Sequence, residues 1–565
     1  MPMSDASRVL VFSTCYNERD NIGSLIDKIV EVLPNADVLV VDDNSPDGTF
    51  EVVSEKRKIY PQVTGVQRPR KLGIGSAHKY ALFYAVREGY DIVITMDADW
   101  SHDPKYFDSM LRALDKNTFV TGSRYCKGES CDYKGYRDVV SRLGNIVARY
   151  ALSVRIKELT TYFRAFDVQS LRQLPLRYMK GAGYSYGVQL IYYLRKAGVE
   201  LREVPIHFAD RTHGSSKIPR LQILHSALDL LVLTTRRLNY LRELAPDTFV
   251  NDACPNCHDR VLAMKHLGSR PMGEAAPPRA YHCTSLGSRS YPPVYTCLCC
   301  GLQQVPGSMI PPNLESLYQD VVDEQYLSNV KARKRTFRRA FDQIANSLPV
   351  TPGRMLEVGA YCGLFMQEAG RRGWVVDGIE PSEWAACYAR ETLGVNVHGG
   401  LLAENRSKLH DKYDVVVSWD VLEHVRDPLQ FVRECAEYLD VGGLFCFSTL
   451  DVDTWFPRLF GTRWPWLIDM HLYYFDRHVI KDLLARAGLE LLRAEPYAHY
   501  AHLRYALRSV SRMLPRPLVR TFNALTRLVP SNLMLPVAFG DIKLYVARKT
   551  GTTASQQNVS HQATG

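Results

Sequence analysis

The stretch Asp91-Ile-Val-Ile-Thr-Met96, closed by Asp97-Ala98-Asp99, decides the fold of the first half of the chain. Its apolar residues follow one another without alternation, which is typical of a strand buried on both faces of a parallel sheet. Similar strand-like stretches alternate with stretches of helical spacing: Arg8–Phe12, 22–32, Asp37–Val41 and 75–87. We therefore predict an α/β domain over residues 8 to about 215, with helices on both faces of the sheet.

A second α/β series runs from Arg354 to about Lys549 and contains the stretch Leu356-Glu357-Val358-Gly359-Ala360-Tyr361-Cys362-Gly363. Its predicted strands are 355–358, 375–379, 414–418 and 443–448. A chain of 565 residues is too long for one hydrophobic core, and about 150 residues per domain gives three or four units. The expected units are a first domain at 1–245, a cysteine-rich segment at 250–310, a second α/β domain at 311–550 and a disordered tail at 551–565.

The composition is that of a globular protein with a modest positive charge. Hydrophobic residues make up 46% of the chain, charged residues 23%, and the formal net charge is +10. This charge suits diphosphates or an anionic membrane surface better than a nucleic acid, which we do not expect as a partner. The start of the chain lacks a secretory signal, and the longest apolar stretches fall short of the ~20 residues of a membrane helix. We therefore expect a cytoplasmic protein.

Asp97 and Asp99 leave their strand with one residue between them, so both carboxylates are expected to point into the same crevice. Hard oxygen ligands of this kind suit Mg²⁺ or Mn²⁺, which would neutralise the leaving diphosphate of a sugar donor. An Asp-X-Asp pair is common by chance, but polar segments also follow or flank the neighbouring strands: Cys15–Ile22, Val41–Thr49, Lys71–Gly75 and Gly122–Tyr125. Such segments gather beyond the carboxyl ends of the strands, where open α/β sheets bind ligands.

These segments, with Arg164-Ala165-Phe166 and the stretch from Pro205 to Lys217, resemble family 2 glycosyltransferases, most closely the dolichol-phosphate mannose synthase type. The resemblance covers residues 8 to about 220 and implies a GT-A-type, Rossmann-like domain that uses a nucleotide-sugar donor. It implies that Asp97 and Asp99 hold metal and diphosphate. The other implied donor contacts are Tyr16, Asn17, Glu18, Asp42, Asp43 and Lys71. Thr14-Cys15 departs from the usual Pro-Thr, which we expect to change loop stiffness rather than chemistry.

The sequence between Asp167 and Glu200 contains no Asp or Glu, although many family 2 enzymes have a catalytic carboxylate in this region. A hydroxyl acceptor needs a general base, whereas a phosphate acceptor is mostly ionised at pH 7, since its second pKa is about 6. A phosphate needs cations instead, and candidates follow: Arg124, Arg137, Arg164, Arg211 and Lys217. We predict a polyprenyl-phosphate acceptor, with Arg124, Arg211 and Lys217 as catalytic cations. Transfer to a glycan hydroxyl, with these cations as ordinary solvated surface, is the alternative.

Six of the thirteen cysteines lie between positions 254 and 300, and four of them form two C-x2-C pairs. These are Cys254 with Cys257 and, 40 positions after Cys257, Cys297 with Cys300. Two such pairs allow four thiolates to meet one tetrahedral Zn²⁺, so we predict a small structural zinc ribbon without a catalytic role. The alternative is that these thiols are unrelated to one another. Cys283 and Cys299 are candidates to replace one of the four zinc ligands.

Glu357, Gly359 and Gly363 fit a strand–turn–helix loop that passes close beneath a nucleoside. Glu380 ends the next strand 21 positions after Gly359, where a carboxylate accepts hydrogen bonds from both ribose hydroxyls. By itself, this pattern fits NAD as well as S-adenosylmethionine. The later segments Tyr413–Val425 and Leu439–Gly443 resemble class I S-adenosylmethionine-dependent methyltransferases.

The upstream cysteine pairs, the segment Tyr318–Tyr326 and the segment His471–Phe475 resemble the zinc-ribbon subgroup of these enzymes, which methylates sugars or sugar nucleotides. The resemblance covers residues 250 to 549 and implies a Rossmann-like domain in which Asp420 also contacts the cofactor. Tyr361 stands where the loop usually has its middle glycine, so we expect its side chain to crowd the amino-acid part of the cofactor. His471 and His424 are candidate bases for the acceptor, with simple packing as the alternative.

Together these patterns predict a bifunctional enzyme of glycan or glycolipid assembly. The first domain would transfer a sugar with inversion to a polyprenyl phosphate, and the last would methylate a sugar or glycan group. The rival hypothesis makes the second half a non-catalytic docking module. Basic residues at 504, 508 and 512 beside an apolar row, and the Leu-rich stretch 221–242, suggest peripheral contact with the inner face of the membrane. A helix packed on its own domain with a solvated charged face is the alternative.

Overall fold

The structure is a computed structural model, and it describes most of the chain. The described residues are 7–126, 130–131, 142, 145–150, 152–174, 176–179, 183, 185–208, 250–266, 268–269, 291–504, 507, 519, 524, 526, 528–530 and 533–551. Several predictions of the sequence analysis fall on residues outside these ranges: Arg137, Arg211, Lys217, Cys283, the stretch 221–242, the basic residues 508 and 512, and the tail from 552.

The described chain forms two compact units, of which the first covers Met1–Asn251 and the second covers most of the chain from Asp252 onward. The first unit contains a seven-stranded sheet in the order β3-β2-β1-β4-β7-β5-β8. Its strands are β1 Val9–Cys15, β2 Asp37–Asp42, β3 Val63–Gln67, β4 Ile92–Asp97, β5 Thr118–Ser123, β7 Arg164–Asp167 and β8 Glu200–Pro205. The short strands β6 Ser130–Cys131 and β9 His207–Phe208 pair with each other.

Strands β1 to β4 are parallel, and β7 enters the sheet antiparallel between β4 and β5. The helices of this unit are α1 Arg19–Val32, α2 Thr49–Ile59, α3 Ile74–Arg87, α4 Phe107–Ala113, α5 Val168–Arg172 and α6 Ser185–Lys196. The apolar runs of β1, β2 and β4 are almost wholly buried, and they pack against α1 in one core. The predicted strands and helices are therefore confirmed in this unit, because uninterrupted apolar runs require cover on both sheet faces.

The second unit contains another seven-stranded sheet, in the order β15-β14-β13-β16-β17-β22-β19. The strands β15, β14, β13, β16 and β17 are parallel to one another. The strand β22 is antiparallel to β17 and to β19. Its strands are β13 Arg354–Val358, β14 Val375–Glu380, β15 Asn396–Gly399, β16 Tyr413–Trp419, β17 Leu439–Leu450, β19 Leu489–Pro496 and β22 Ile542–Lys549. All four predicted strands are confirmed.

The helices of the second unit are α7 Leu314–Gln319, α8 Glu324–Ser328, α9 Val330–Ala345, α10 Leu364–Gly370, α11 Glu383–Leu393, α12 Pro428–Glu437, α13 Trp455–Phe460 and α14 Arg477–Arg486. Helix α9 shows why they pack as they do: its buried residues Ala332, Thr336, Ala340 and Ile344 recur every four positions and form one face. Helix α11 is capped at its N-terminus by Ser382, whose hydroxyl accepts a hydrogen bond from the Ala385 N–H, and at its C-terminus by Gly394 with φ 67°.

Two smaller sheets complete the described structure. Strands β10 Leu262–His266, β11 Val294–Cys297, β12 Gln303–Gln304 and β18 Tyr473–Tyr474 form one of them. Strands β20 His499–His502 and β21 Met534–Val537 form the other. Within the described part of the chain, every helix is too short or too polar to traverse a bilayer.

Candidate functional site

The first candidate site lies at the carboxyl edge of the first sheet, where β1 stands between β2 and β4. In the ladder, Cys15 pairs with Asp42 and Thr14 pairs with Asp97, so the acidic ends of β2 and β4 flank the end of β1. Helical connections diverge to the two sides of β1, and this topological switch point is where open sheets form a ligand crevice. The structure thus brings together the segments that the sequence predicted to meet.

Asp42 and Asp43 are both buried, but they have different partners. The Asp42 carboxylate accepts hydrogen bonds from the Ser45 hydroxyl and from the Ser45 N–H, the latter at 2.9 Å. Burial raises the pKa of Asp42, and the two Ser45 hydrogen bonds oppose that rise. The Asp43 carboxylate instead forms an ion pair with the buried Arg68 and accepts from the Gly73 N–H at 2.8 Å. Asp43 therefore fixes the loop that begins α3.

Asp97 is the more accessible carboxylate of the pair, with 22% of its side chain exposed. Its main-chain N–H donates to Nδ1 of His102 at 3.0 Å, so the proton of this imidazole lies on Nε2. Nε2 contacts the Thr161 hydroxyl at 2.9 Å. His102 is completely buried, and its two contacts fix the end of β4. The neighbouring Asp99 is also buried and accepts from the Ser101 N–H at 3.1 Å.

The predicted donor contacts after β1 lie in the same region. The Lys71 ammonium stands 3.6 Å from the centre of the Tyr16 ring, a cation–π contact that joins the loops before α1 and before α3. Asn17 has φ 57° and donates its N–H to the Ser45 hydroxyl at 2.9 Å, while the Glu18 N–H donates to Thr49. Tyr16, Asn17 and Lys71 are thus held near Asp42 by local hydrogen bonds and packing.

Arg124 lies beyond β5 and is paired with a residue that the sequence analysis did not single out. Its Nε donates to the buried Glu158 at 2.9 Å, and its guanidinium carbon lies 4.4 Å from the centre of the Phe208 ring. Glu158 also accepts from the Thr160 N–H and the Thr161 N–H. The charge of Arg124 is therefore partly satisfied within the protein, and its role toward an acceptor phosphate stays a prediction.

Arg164 is also buried. Its guanidinium donates to the carbonyls of Gly187 and Leu159, and burial lowers its pKa to about 10. Arg164 thus connects β7 to the chain segments that contain Gly187 and Leu159.

The second candidate site is a cavity of about 290 Å³ in the second unit, at the switch point between β13 and β16. Glu357, Gly359 and Asp420 line it. The Glu380 carboxylate accepts from the Tyr361 N–H at 2.7 Å and from the Ser382 N–H at 2.9 Å. Burial raises the pKa of Glu380 to about 7, and burial together with the Glu380 charge raises that of Glu357 well above its usual value.

The loop after β13 has the backbone that its glycines predicted. Gly359 has φ 81°, and a Cβ placed there would lie 2.4 Å from Cγ2 of Val421. Gly363 has φ 70° and begins α10. Tyr361 adopts φ 45°, and its ring packs edge-on against Tyr326 with centroids 4.5 Å apart. Tyr361 also lines the cavity. That its side chain crowds the amino-acid part of the cofactor stays a prediction.

Asp420 follows β16 with φ 55° and is fixed by the Ser448 hydroxyl, which donates to its carboxylate at 2.6 Å. Nε2 of His499 lies 3.4 Å from the same carboxylate. Burial lowers the pKa of His499, and Asp420 opposes this effect. His499 belongs to β20, and no sequence pattern linked it to Asp420.

The two histidines predicted as bases also line the cavity, with ring centroids 4.9 Å apart. Burial lowers the pKa of His424, and that of His471 well below its usual value, which favours the neutral form of both imidazoles. Glu423 lies beside them, accepts from the Thr449 hydroxyl at 2.8 Å, and has its pKa raised to about 8 by burial. Glu423 was not predicted as a site residue, although it directly precedes His424.

The four cysteines of the two C-x2-C pairs are all buried and converge, with their sulfur atoms within 4.8 Å of one another. The two turns match: the N–H of His258 donates to the Cys254 carbonyl at 2.7 Å, and that of Gly301 donates to the Cys297 carbonyl at 2.9 Å. The two donor residues, His258 and Gly301, both have positive φ. Buried thiol groups in this arrangement fit a tetrahedral Zn²⁺. Cys299 is buried nearby but is not one of the four.

Comparisons with known proteins match the two halves of the chain to two different families. The family model described as glycosyl transferase family 2 matches residues 10–174, and the one described as methyltransferase domain matches residues 330–494. An undecaprenyl-phosphate mannosyltransferase of Micrococcus luteus is 32% identical over 212 residues, which is 37% of this chain and 87% of that protein. A polyprenol monophosphomannose synthase of Mycolicibacterium smegmatis is 33% identical over 214 residues, which is 37% of this chain and 81% of that protein.

Among solved structures, an S-adenosylmethionine-dependent methyltransferase from Archaeoglobus fulgidus is 18% identical, with 40% of this chain and all of that chain covered and a TM-score of 0.29. The family matches and the two sheets confirm the predicted fold class, a GT-A-type α/β domain followed by a Rossmann-like methyltransferase domain. The predicted resemblance of each half to its family is confirmed as well.

Proposed function

Because the chain belongs to the family 2 glycosyltransferases and also carries a methyltransferase domain, we propose that it is a bifunctional enzyme of glycolipid or glycan assembly. Its first domain, at 1–245, transfers mannose from a nucleotide donor to a polyprenyl phosphate with inversion. Its second domain, at 311–550, transfers a methyl group from S-adenosylmethionine to a sugar or glycan group. The observation that carries the proposal is identity above 30% to two polyprenyl-phosphate mannosyltransferases, each covered over more than four fifths of its length.

The geometry of the first site supports a metal-assisted transfer. Asp97 and Asp99 together provide the oxygen ligands that suit Mg²⁺ or Mn²⁺, which would stabilise the negative charge that develops on the leaving diphosphate. Asp42 and the Tyr16–Lys71 pair lie at the same sheet edge and are proposed to contact the nucleoside and its phosphates. Arg211 and Lys217 are proposed as acceptor cations on sequence grounds.

The acceptor is tested by incubating the full chain with GDP-[¹⁴C]mannose, Mg²⁺ and undecaprenyl phosphate. Label is expected in the lipid phase because a phosphate acceptor is already ionised at pH 7 and needs no general base. Undecaprenol, which presents a hydroxyl in place of the phosphate, is the matched control and should remain unlabelled. Label that enters only added oligosaccharide would reject the lipid-phosphate acceptor and favour transfer to a glycan hydroxyl.

The cavity of the second unit supports methyl transfer. Glu380 is proposed to accept hydrogen bonds from the ribose of S-adenosylmethionine; it accepts a hydrogen bond from the N–H of Tyr361, which lines the cavity together with Gly359 and Asp420. His424 and His471 are proposed to promote loss of the acceptor proton, since burial lowers their pKa values and favours the neutral imidazoles. Calorimetry with S-adenosylmethionine and S-adenosylhomocysteine separates this role from the rival docking role: an absence of heat with both would leave the docking role alone.

The pKa of Glu380 predicts a pH dependence of methyl-donor binding. Only the ionised carboxylate accepts from both ribose hydroxyls, and burial raises its pKa to about 7. Affinity is therefore expected to fall as the pH drops below 7, approaching about tenfold for each pH unit, and to level off above about pH 8. Calorimetric titrations between pH 6 and 8.5 measure this. Glu380→Gln should bind more weakly and without that slope; an unchanged slope would contradict the assignment.

The cysteine cluster is proposed to bind one structural Zn²⁺. Cys297→Ser is expected to remove one equivalent of zinc per chain and to lower the unfolding temperature by several degrees, because metal binding contributes to the free energy of folding. Elemental analysis and thermal unfolding measure the two effects. Cys387→Ser, at a cysteine outside the cluster, is the control and should keep the full zinc content. Equal zinc in both variants would contradict the site.

A further inference from the structure

Three side chains converge in the cavity of the second unit: those of Glu423 and His424, which follow β16, and that of His471, which precedes β18. One atom of each that is able to bind a metal lies within 4.8 Å of the other two. All three residues line the cavity. The two histidines are 47 positions apart in the sequence, so the fold rather than a local motif creates the cluster.

Both imidazoles are held in the same tautomer. Nδ1 of His424 lies 2.9 Å from the Met470 carbonyl, and Nδ1 of His471 lies 2.8 Å from the Trp466 carbonyl. A carbonyl only accepts, so each ring carries its proton on Nδ1 and its lone pair on Nε2. Among the described residues, neither Nε2 has a hydrogen-bond partner. A main-chain carbonyl behind each ring is the arrangement that orients metal-binding histidines.

The carboxylate of Glu423 is oriented in a comparable way. One of its oxygens accepts from the Thr449 hydroxyl at 2.8 Å. Two imidazole nitrogens and one carboxylate oxygen form a borderline ligand set that suits Zn²⁺, Fe²⁺ or Mn²⁺. Three protein ligands leave at least one coordination position for a ligand in the cavity, which distinguishes this cluster from the closed set of four cysteines.

We propose that Glu423, His424 and His471 bind a divalent transition-metal cation whose open position faces the cavity. The role of this cation rests on the methyl transfer proposed above. The acceptor hydroxyl binds the cation through oxygen, which lowers its pKa, and its proton passes to water. The oxygen then attacks the methyl carbon of S-adenosylmethionine, so that the O–CH₃ bond forms while the S–CH₃ bond breaks and its electron pair stays on sulfur. In this role the histidines hold the cation rather than receive the proton.

The test is a calorimetric titration of Zn²⁺ into the full chain after one equivalent has filled the cysteine cluster. The wild type is expected to bind one further equivalent, and His471→Ala and Glu423→Gln are each expected to weaken that event at least about tenfold. His410→Ala, at a histidine remote from the cavity, is the matched control and should bind like the wild type. The double variant Asp97→Asn, Asp99→Asn should also keep the event, which excludes the first domain as its source. Circular dichroism verifies that each variant is folded.

The outcomes separate this inference from the proposed function. Absence of a second equivalent in the wild type, or equal second-site affinity in His471→Ala, Glu423→Gln and the wild type, would overturn the metal site. If S-adenosylmethionine still binds in that case, the methyl-transfer proposal stands and the histidines act as bases. A second equivalent that is lost in the variants, in a chain that gives no heat with S-adenosylmethionine, would support the metal site and reject methyl transfer.

Discussion

Replacement of Asp97 or Asp99 by Asn is expected to lower sugar transfer by at least about 100-fold. Each substitution removes one anionic oxygen ligand, and a bound cation contributes several kcal/mol to transition-state stabilisation, of which about 2.7 kcal/mol corresponds to 100-fold. The geometry of the strand end should persist, because the main-chain N–H of Asp97 keeps its 3.0 Å hydrogen bond to Nδ1 of His102 in the Asn variant, whereas the Asp97 carboxylate lies 3.8 Å from that nitrogen. Initial rates with radiolabelled nucleotide-sugar donor at saturating Mg²⁺ measure the effect.

Two controls accompany this prediction. Asp108→Asn removes an exposed carboxylate from α4 in the same unit and should leave the rate within about twofold, since a surface ion pair contributes about 0–1 kcal/mol. S-adenosylmethionine binding should be unchanged in all three variants. If Asp97→Asn and Asp99→Asn both turn over donor at the wild-type rate, neither carboxylate binds the cation and the proposed mechanism of the first domain fails.

Substitution of Gly359 by Ala is expected to abolish measurable binding of S-adenosylmethionine. The new Cβ would lie 2.4 Å from Cγ2 of Val421, and the residue already has φ 81°, which an L side chain rarely adopts. Val421 is short and branched, so it has little freedom to give way, and the loop would have to shift in the cavity that it lines. Calorimetry with the methyl donor is the measurement, and we expect at least about a 100-fold loss of affinity, about 2.7 kcal/mol.

Gly394→Ala provides the matched control for Gly359→Ala. Gly394 also has positive φ, 67°, but nothing lies within 4 Å of a Cβ placed there. Both variants should lose about 1–2 kcal/mol of stability from the left-handed backbone, and only Gly359→Ala should lose the methyl donor. If both variants bind the donor equally well, the Gly359 loop does not contact it. Thermal unfolding of the two proteins separates a general loss of stability from a local loss of binding.

The methyl cavity shows where reasoning from sequence reaches its limit. Gly359 and Glu380 were predictable because a glycine loop and a carboxylate at successive strand ends are local features with a fixed spacing. Glu423 was within reach because it adjoins His424. The pairing of His499 with Asp420 was not, because β20 reaches the cavity only through the packing of distant chain segments.

The sequence by itself determined the buried parallel strands at the centre of each sheet, since uninterrupted apolar runs are stable only when both faces of the strand are covered, but it did not predict the antiparallel strands β7 and β22. It also determined which polar residues stand at the strand ends, because the strand period and the chain direction place them there. Only the tertiary structure decided which of these groups are already paired, such as Arg124 with Glu158, and which converge, such as His424 with His471. Those contacts join residues far apart in the chain, and their distances depend on packing and register that no local pattern encodes.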